Sequence, residues 1–197
     1  MSRPRLFDEA KVLDRALVAF WRQGYDACSI GDLVKVTGLE RQSLYNTFGD
    51  KDALFLAVLR RYEVHSASYL AQLERPDVKL SDLRKYMEAV LDVQVSRGCG
   101  ACLLVRTAFG PQIKDARVRR AVNMGARAVR ACFVRVIERA VHSGELESTV
   151  NPEHIAAYLY TVLNGLAALM RTGGTSDQVS GVLTHTFKSI TRRRRTH

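Results

Sequence analysis

No stretch of this 197-residue chain is apolar for long enough to cross a bilayer. The longest candidate, Ile155 to Met170, falls short of the roughly 20 residues a span requires and is interrupted by Asn164 and Gly165. A secretory signature is missing too: "MSRPRLFDEAK" starts basic and turns at once into a charged amphipathic pattern, with no continuous apolar segment behind it. Cysteine is scarce. Cys28, Cys99, Cys102 and Cys132 are too few and too scattered for a disulfide scaffold, and they fit a reducing compartment in which three of the four serve as small core residues. These absences predict a cytoplasmic protein without a membrane partner.

Chemical signatures are equally thin. The five histidines, His65, His142, His154, His185 and His197, are dispersed, and no second Cys or His pair complements Cys99 and Cys102 at metal-ligand spacing, so no metal is expected. There is no G-x-S-x-G elbow, H-E-x-x-H pair, P-loop or dinucleotide fingerprint, which argues against an enzyme and against a cofactor. Basic charge is not concentrated where a nucleic-acid binder would use it. The formal net charge of +10 points to a polyanionic partner, yet the first 51 residues hold eight Lys and Arg against seven Asp and Glu. If this third binds DNA, it does so with a few placed cations such as Arg3, Arg5, Arg41 and Lys51. The tail run Arg192 to Arg195 is either a further nucleic-acid contact or a solvated terminus.

What remains is helix. Strand-like alternation and internal repeats are nearly absent, and apolar residues recur at helical spacing throughout, predicting an all-α protein of about nine helices. The first opens at Asp8, with Phe7 and Val12 spaced as a hydrophobic staple, buries Val12, Leu13, Ala16, Leu17, Phe20 and Trp21, and stops at Gly24. A second, about two turns long, opens at Ser29 in a capping-box arrangement with Asp32 and closes at Thr37-Gly38. The chain restarts within three residues and runs to Gly49, after which Asp50 caps a long helix to about Leu73. Further helices are expected at roughly 81–96, 101–109, 114–143, 152–171 and 176–190. Asn151-Pro152-Glu153 and Thr175 to Gln178 are strong starts, while Gly98 to Gly100 and Gly110-Pro111 are weaker breaks.

The third helix is unusual in its surface. On a helical projection of Arg41 to Phe48, Leu44 and Phe48 fall together and can anchor it, while Gln42 and Asn46 share the opposite side with Ser43 and Tyr45 flanking and Arg41 at the N-terminal end. A face that serves only solubility carries Glu and Lys; Gln, Asn, Ser and Tyr are weaker helix formers with directional hydrogen-bonding tips. Amides pair bidentately with adenine, Arg grips guanine, and Tyr or Ser reaches phosphate oxygens. Two short helices joined by a glycine-bearing turn, the second exposing such a face, make a helix-turn-helix; the plainer alternative is a solvated helix in a bundle.

The segment "GYDACSIGDLVKVTGLERQSLYNTFGDKDAL", Gly24 to Leu54, closely resembles the DNA-binding domain of the tetracycline-repressor (TetR) family of bacterial transcription regulators. The likeness is carried by Gly24-Tyr25, by Ser29, Ile30, Asp32 and Leu33, by Thr37-Gly38-Leu39, by Leu44-Tyr45 and Phe48, and by Lys51 before Ala53-Leu54. It covers about the first quarter of the chain, and the later helices match only in number and length. The resemblance implies a homodimer that occludes a palindromic double-stranded operator and lets go when a small molecule enters the C-terminal domain. It implies a DNA-binding domain over 1–51 and an effector-binding and dimerisation domain over 52–197. By the same token Arg41, Gln42 and Asn46 would approach bases, Ser43 and Tyr45 base or backbone, and Lys51 a phosphate at the start of helix four. Ser29 would act as cap first and phosphate contact second, and Arg3 and Arg5 would form a minor-groove arm. The chain departs from the pattern at Glu40, which replaces a small hydroxyl residue and either points away or accepts from a cytosine amino group, and at Thr47, which would weaken one backbone contact.

Beyond residue 51, "AAYLYTVLNGLAALM" is hydrophobic almost all round, with small residues Ala157, Thr161, Gly165 and Ala168 that admit a close neighbour. With "SDQVSGVLTHTFKSI" it could build an intersubunit four-helix bundle, as the resemblance implies, or it could be buried within its own chain. Cys99 and Cys102 are read as core residues or, with Arg97 and Arg106 close in sequence to depress a thiol pKa, as a thiol or electrophile sensor. Among the many cations between Lys114 and Arg139, Arg117, Arg127 or Arg130 either turns inward toward an anionic effector or lies on a solvated face. The reading is a transcriptional repressor released by an effector. A non-specific nucleoid-type DNA binder and a helical enzyme are the alternatives from other classes.

Overall fold

The computed structural model describes residues 7–99, 102–108 and 115–191. Among them are nine α-helices and no strand: α1 (Glu9–Gln23), α2 (Ile30–Thr37), α3 (Arg41–Phe48), α4 (Lys51–Leu70), α5 (Leu80–Ser96), α6 (Leu103–Ala108), α7 (Ala116–His142), α8 (Pro152–Arg171) and α9 (Ser176–Thr191), with a 3-10 turn at Ala71–Leu73 after α4. Several starts have a local cause. Asp8 accepts from the N–H groups of Ala10 and Lys11, Asn151 from His154, and Thr175 and Gln178 form the expected reciprocal pair. The Gly110-Pro111 break, the arm residues Arg3 and Arg5, and the tail Arg192 to Arg195 lie outside the described residues.

The chain divides into two compact units. The first runs through Ser66 and takes in Leu103–Gly125; the second comprises Ala67–Cys102 and the chain from Ala126 onward. Two of the three divisions fall inside helices, α4 and α7, and the third lies between Cys102 and the start of α6. The first unit is built around α1: Ala16, Leu17, Phe20 and Trp21 are buried with Leu33, Leu54, Phe55, Val58 and Leu59. Its rings pack edge to face, Phe20 against Phe55 at 4.8 Å and Trp21 against Tyr62 at 5.2 Å between centroids. A two-point bond from Arg61 on α4 to Asp14 on α1, at 2.7 and 2.8 Å, with His65 3.0 Å from the same carboxylate, ties the two helices; Arg61 holds the Asp14 carboxyl down at about 2.

In the second unit α5, α8 and α9 pack together, with α7 supplying Cys132, Phe133, Val136, Ile137 and Ala140 to one apolar core. α8 buries Ala156, Leu159, Leu163, Leu166 and Ala167. Its other side is not covered: Ala157, Tyr158, Thr161, Gly165 and Ala168 are exposed, as are Gly181 and Val182 on α9. Within this chain α8 is therefore a half-buried helix. Among the described residues no helix is long and apolar enough to cross a membrane.

Candidate nucleic-acid interface

The site is assembled from the turn between α2 and α3. Ser29 accepts from the Asp32 N–H at 3.1 Å, and the Asp32 carboxylate accepts in return from the Ser29 N–H and hydroxyl, so the hydroxyl is committed to its own helix start. That bonding also lowers the Asp32 pKa. At the other end Gly38 takes φ 74°, ψ 11°, a left-handed cap that turns the chain within one residue. Three bonds brace the corner: Gly38 N–H to the Val34 carbonyl at 3.0 Å, the Thr37 hydroxyl to the Leu33 carbonyl at 2.6 Å, and an Arg15 guanidinium N–H to the Thr37 carbonyl at 3.2 Å. Arg15 belongs to α1, so the turn is fixed by the core helix.

From this corner α3 emerges with one fully buried anchor, Leu44, at 3% exposed. The expected second anchor, Phe48, is only half-buried; it sits in the last turn, before Gly49 ends the helix. The opposite face is open. Arg41, Gln42, Tyr45 and Asn46 are exposed and Ser43 is half-buried. Gln42 Nε2 donates to Asn46 Oδ1 at 2.9 Å, the i, i+4 amide pair that the projection brings together. One donor of Gln42 is used internally, while its carbonyl and the Asn46 amino group remain available to a partner. Glu40 is exposed at the N-cap and makes no side-chain capping bond, and the Thr47 hydroxyl donates back to the Ser43 carbonyl at 2.8 Å. Thr47 is spent on the helix itself.

Lys51, the first residue of α4, is more constrained than its sequence position implies. Its Nζ lies 4.5 Å from the centroid of the Tyr25 ring and 3.5 Å from the Asp26 carbonyl, to which it donates. Tyr25 in turn packs on Phe55 at 4.8 Å and donates its hydroxyl to Asp52. One backbone N–H of this helix start, that of Ala53, is taken by Asp50 at 2.6 Å. The cation is thus mounted on a ring that the core holds. Sequence reading recognised Tyr25 as part of the motif without its role as platform.

The cysteine segment shows different chemistry from the site just described. Cys99 is 0% exposed with its thiol 3.5 Å from the Arg97 carbonyl, and Cys102 is half-buried. Burial pushes the Cys28 thiol up to about 11 and the Cys132 thiol up to about 12. No disulfide forms. Arg106 belongs to the first unit, where its Nε lies 3.3 Å from the position a side-chain carbon would take on Gly24, at the end of α1. A thiol sensor is not favoured by these surroundings. Sequence analysis also passed over Gln94, which occupies the next position of the buried α5 stripe Leu80, Leu83, Met87 and Leu91. It is 3% exposed, and its Oε1 has no hydrogen-bond partner among the described residues.

Comparison with known proteins bears on the whole chain. Residues 12–58 match the family model described as bacterial regulatory proteins, tetR family, and residues 80–186 match that of the tetracyclin repressor-like C-terminal domain. The HTH-type transcriptional repressor ComR of Escherichia coli strain K12 is 30% identical over 197 residues, covering 95% of this chain and 90% of that protein. The HTH-type transcriptional repressor AcnR of Corynebacterium glutamicum is 27% identical over 177 residues, covering 88% and 87%. A cysteine-substituted form of the TetR-family regulator CifR, solved in complex with 26-base-pair operator DNA, superposes with a TM-score of 0.80 at 25% identity, covering 96% of this chain and 100% of that one. With both family models matched in order and a relative at 30% identity along nearly its full length, the chain belongs to the TetR family of bacterial regulatory proteins, and is a helix-turn-helix, DNA-binding regulator of transcription rather than an enzyme.

Proposed function

We propose that this protein is a cytoplasmic repressor that binds a palindromic operator as a homodimer and is released from it by a small-molecule effector. The observation that carries the reading is the outer face of α3, where Gln42 and Asn46 stand exposed and bonded to each other over a helix pinned from behind by Leu44. Such a face fits the major groove, whose base edges amides and guanidinium groups can distinguish. Arg41, Gln42 and Asn46 read bases, Ser43 and Tyr45 contact base or backbone, and Lys51, held over Tyr25, grips a phosphate. Ser29 serves first as the α2 cap, because a phosphate contact would compete with its bonds to Asp32. Arg3 and Arg5 supply a minor-groove arm.

DNA reading is assigned to residues 1–51, and effector binding and dimerisation to residues 52–197. The uncovered stripe of Ala157, Thr161, Gly165 and Ala168 on α8 supports dimerisation, since small residues let a partner helix approach closely and α9 exposes Val182 beside Gly181. The relatives ComR and AcnR are repressors by name, which supports repression over activation. The test is selection from random duplexes followed by competition with bulk DNA. A specific regulator prefers one palindrome by roughly 10³-fold or more; a chain that binds all duplexes alike is a nucleoid-type binder, and the proposal fails.

A further inference from the structure

Within the second unit the arginines of α7 are not equivalent. Arg135 pairs with Glu74, bonding at 3.1 Å through Nε, and Arg139 donates to the carbonyls of Leu73, Glu74 and Arg75 at 2.9, 3.4 and 3.1 Å. The end of the 3-10 turn takes up Arg135 and both terminal nitrogens of Arg139, whose buried Nε has no hydrogen-bond partner among the described residues. Arg127 is exposed. Arg130 differs from all three: it is half-buried, its guanidinium carbon lies 5.5 Å from the centroid of the Tyr160 ring on α8, and no carboxylate among the described residues pairs with it. A half-buried cation whose neighbour is a ring and not an acid keeps most of its attraction for an incoming anion, in surroundings less polar than water.

Tyr160 is the neighbour of Arg130, and a second phenol, Tyr86, lies within electrostatic range of Tyr160. Tyr160 is half-buried on α8, where Asn164 donates to its backbone carbonyl at 2.7 Å. Tyr86 on α5 packs edge to face on Phe133 of α7 at 5.8 Å, and Tyr86, Tyr160 and the thiol of Cys102 lie within electrostatic range of one another. Burial raises both phenol pKa values, so each stays a neutral O–H donor at physiological pH. Two O–H donors and one cation, set among Phe133 and the tyrosine rings, are the complement of an anionic acceptor attached to an apolar body.

We propose that Arg130, Tyr86 and Tyr160 form the effector site of this protein and that the effector is a small organic carboxylate, its acid group held by the Arg130 guanidinium and its apolar part by the rings of Tyr86, Phe133 and Tyr160. The proposal rests on the reading of the second unit as an effector domain. Phosphate monoesters fit less well, because one guanidinium and two neutral donors suit a single negative charge.

The experiment is calorimetric titration of the full chain, without DNA, with benzoate and octanoate and with their uncharged counterparts benzamide and octanamide. At least one acid is expected to bind, with its amide at least roughly 10-fold weaker. Arg130→Gln should weaken the acid by roughly 10- to 100-fold, Arg130→Lys should fall between, and Tyr160→Phe, which keeps the ring, should lose a smaller factor. Melting curves by circular dichroism run beside each variant, and the Lys and Phe variants preserve packing if Arg130→Gln perturbs it. Binding of neither acid, equal binding of acid and amide, or a folded Arg130→Gln protein that binds like wild type would overturn the assignment. Because no DNA is present, a chain that selects a palindrome but ignores both acids refutes this inference alone, and one that binds acids but reads no sequence refutes the regulator reading alone.

Discussion

Replacing Gly38 by alanine tests whether the α2–α3 corner is set by backbone geometry. Gly38 sits at φ 74°, ψ 11°, and a side-chain carbon there would meet only Arg15 Nη1 at 3.8 Å, an ordinary contact. Sterics with neighbours therefore add nothing, and the cost is that of forcing an L-residue into the left-handed region, about 1–2 kcal/mol. The stiffer unfolded chain returns about 0.4–1 kcal/mol, leaving a net loss near 1 kcal/mol. With a urea slope of about 2 kcal/mol/M the midpoint should fall by roughly 0.5 M. The single tryptophan, Trp21, is buried in the same unit and packs on Tyr62, so its fluorescence reports this transition. Gly31→Ala is the control of opposite sign: Gly31 is helical, the added carbon lies 3.5 Å from Ser29 Oγ, and removing a helical glycine should stabilise by about 0.5–1 kcal/mol. Gly38→Asn should cost less than Gly38→Ala, because Asn tolerates this conformation. If Gly38→Ala matches wild type, or if the two alanine variants shift the same way, the corner is not held by the glycine and the reasoning is wrong.

Other expectations follow from single contacts. Lys51→Ala should weaken all DNA sites alike and reduce the slope of log K against log salt by about 0.9, measured by fluorescence anisotropy over a salt series; altered base preference with an unchanged slope would assign Lys51 to bases instead. Gln94→Leu removes a buried carbonyl without a partner and should be neutral or stabilising by up to about 1 kcal/mol in chemical denaturation, whereas a loss above about 2 kcal/mol would mean the amide is satisfied. Gly165→Glu adds a charge where nothing lies within 4 Å in the single chain, so helicity should persist while sedimentation shifts from dimer to monomer; an intact dimer would remove α8 from the interface.

The helices were legible because their causes are local. Asp8, Ser29 with Asp32, Asn151-Pro152 and Thr175 with Gln178 each announce a start within four residues, and the observed α8 spans the expected 152–171. The exposed amide face of α3 was legible for the same reason, since an i, i+4 pair on a short helix leaves few places to point. What sequence could not supply is long-range. Nothing near Lys51 says that Tyr25, 26 positions earlier, lies beneath it, or that Arg15 of α1 closes the Thr37 carbonyl. Phe48 was expected to be buried with Leu44, but the helix ends at that residue, so its ring is only half covered. Arg106 follows the cysteines in sequence yet packs at the end of α1, and Arg130 could be separated from Arg117 and Arg127 only once Tyr160 was seen beside it.

The most direct test of the account exchanges the two amides. Operator preference is determined by selection from random duplexes for wild type, Gln42→Ala, Asn46→Ala and the double variant, with affinity for bulk DNA measured in parallel. Each single change should relax preference at one or two base pairs per half-site by about 1–3 kcal/mol, leaving affinity for bulk DNA nearly constant. The double variant should lose less than the sum, because the two amides are bonded to each other. A double variant that selects the wild-type operator with undiminished preference would contradict the claim that this face of α3 reads sequence.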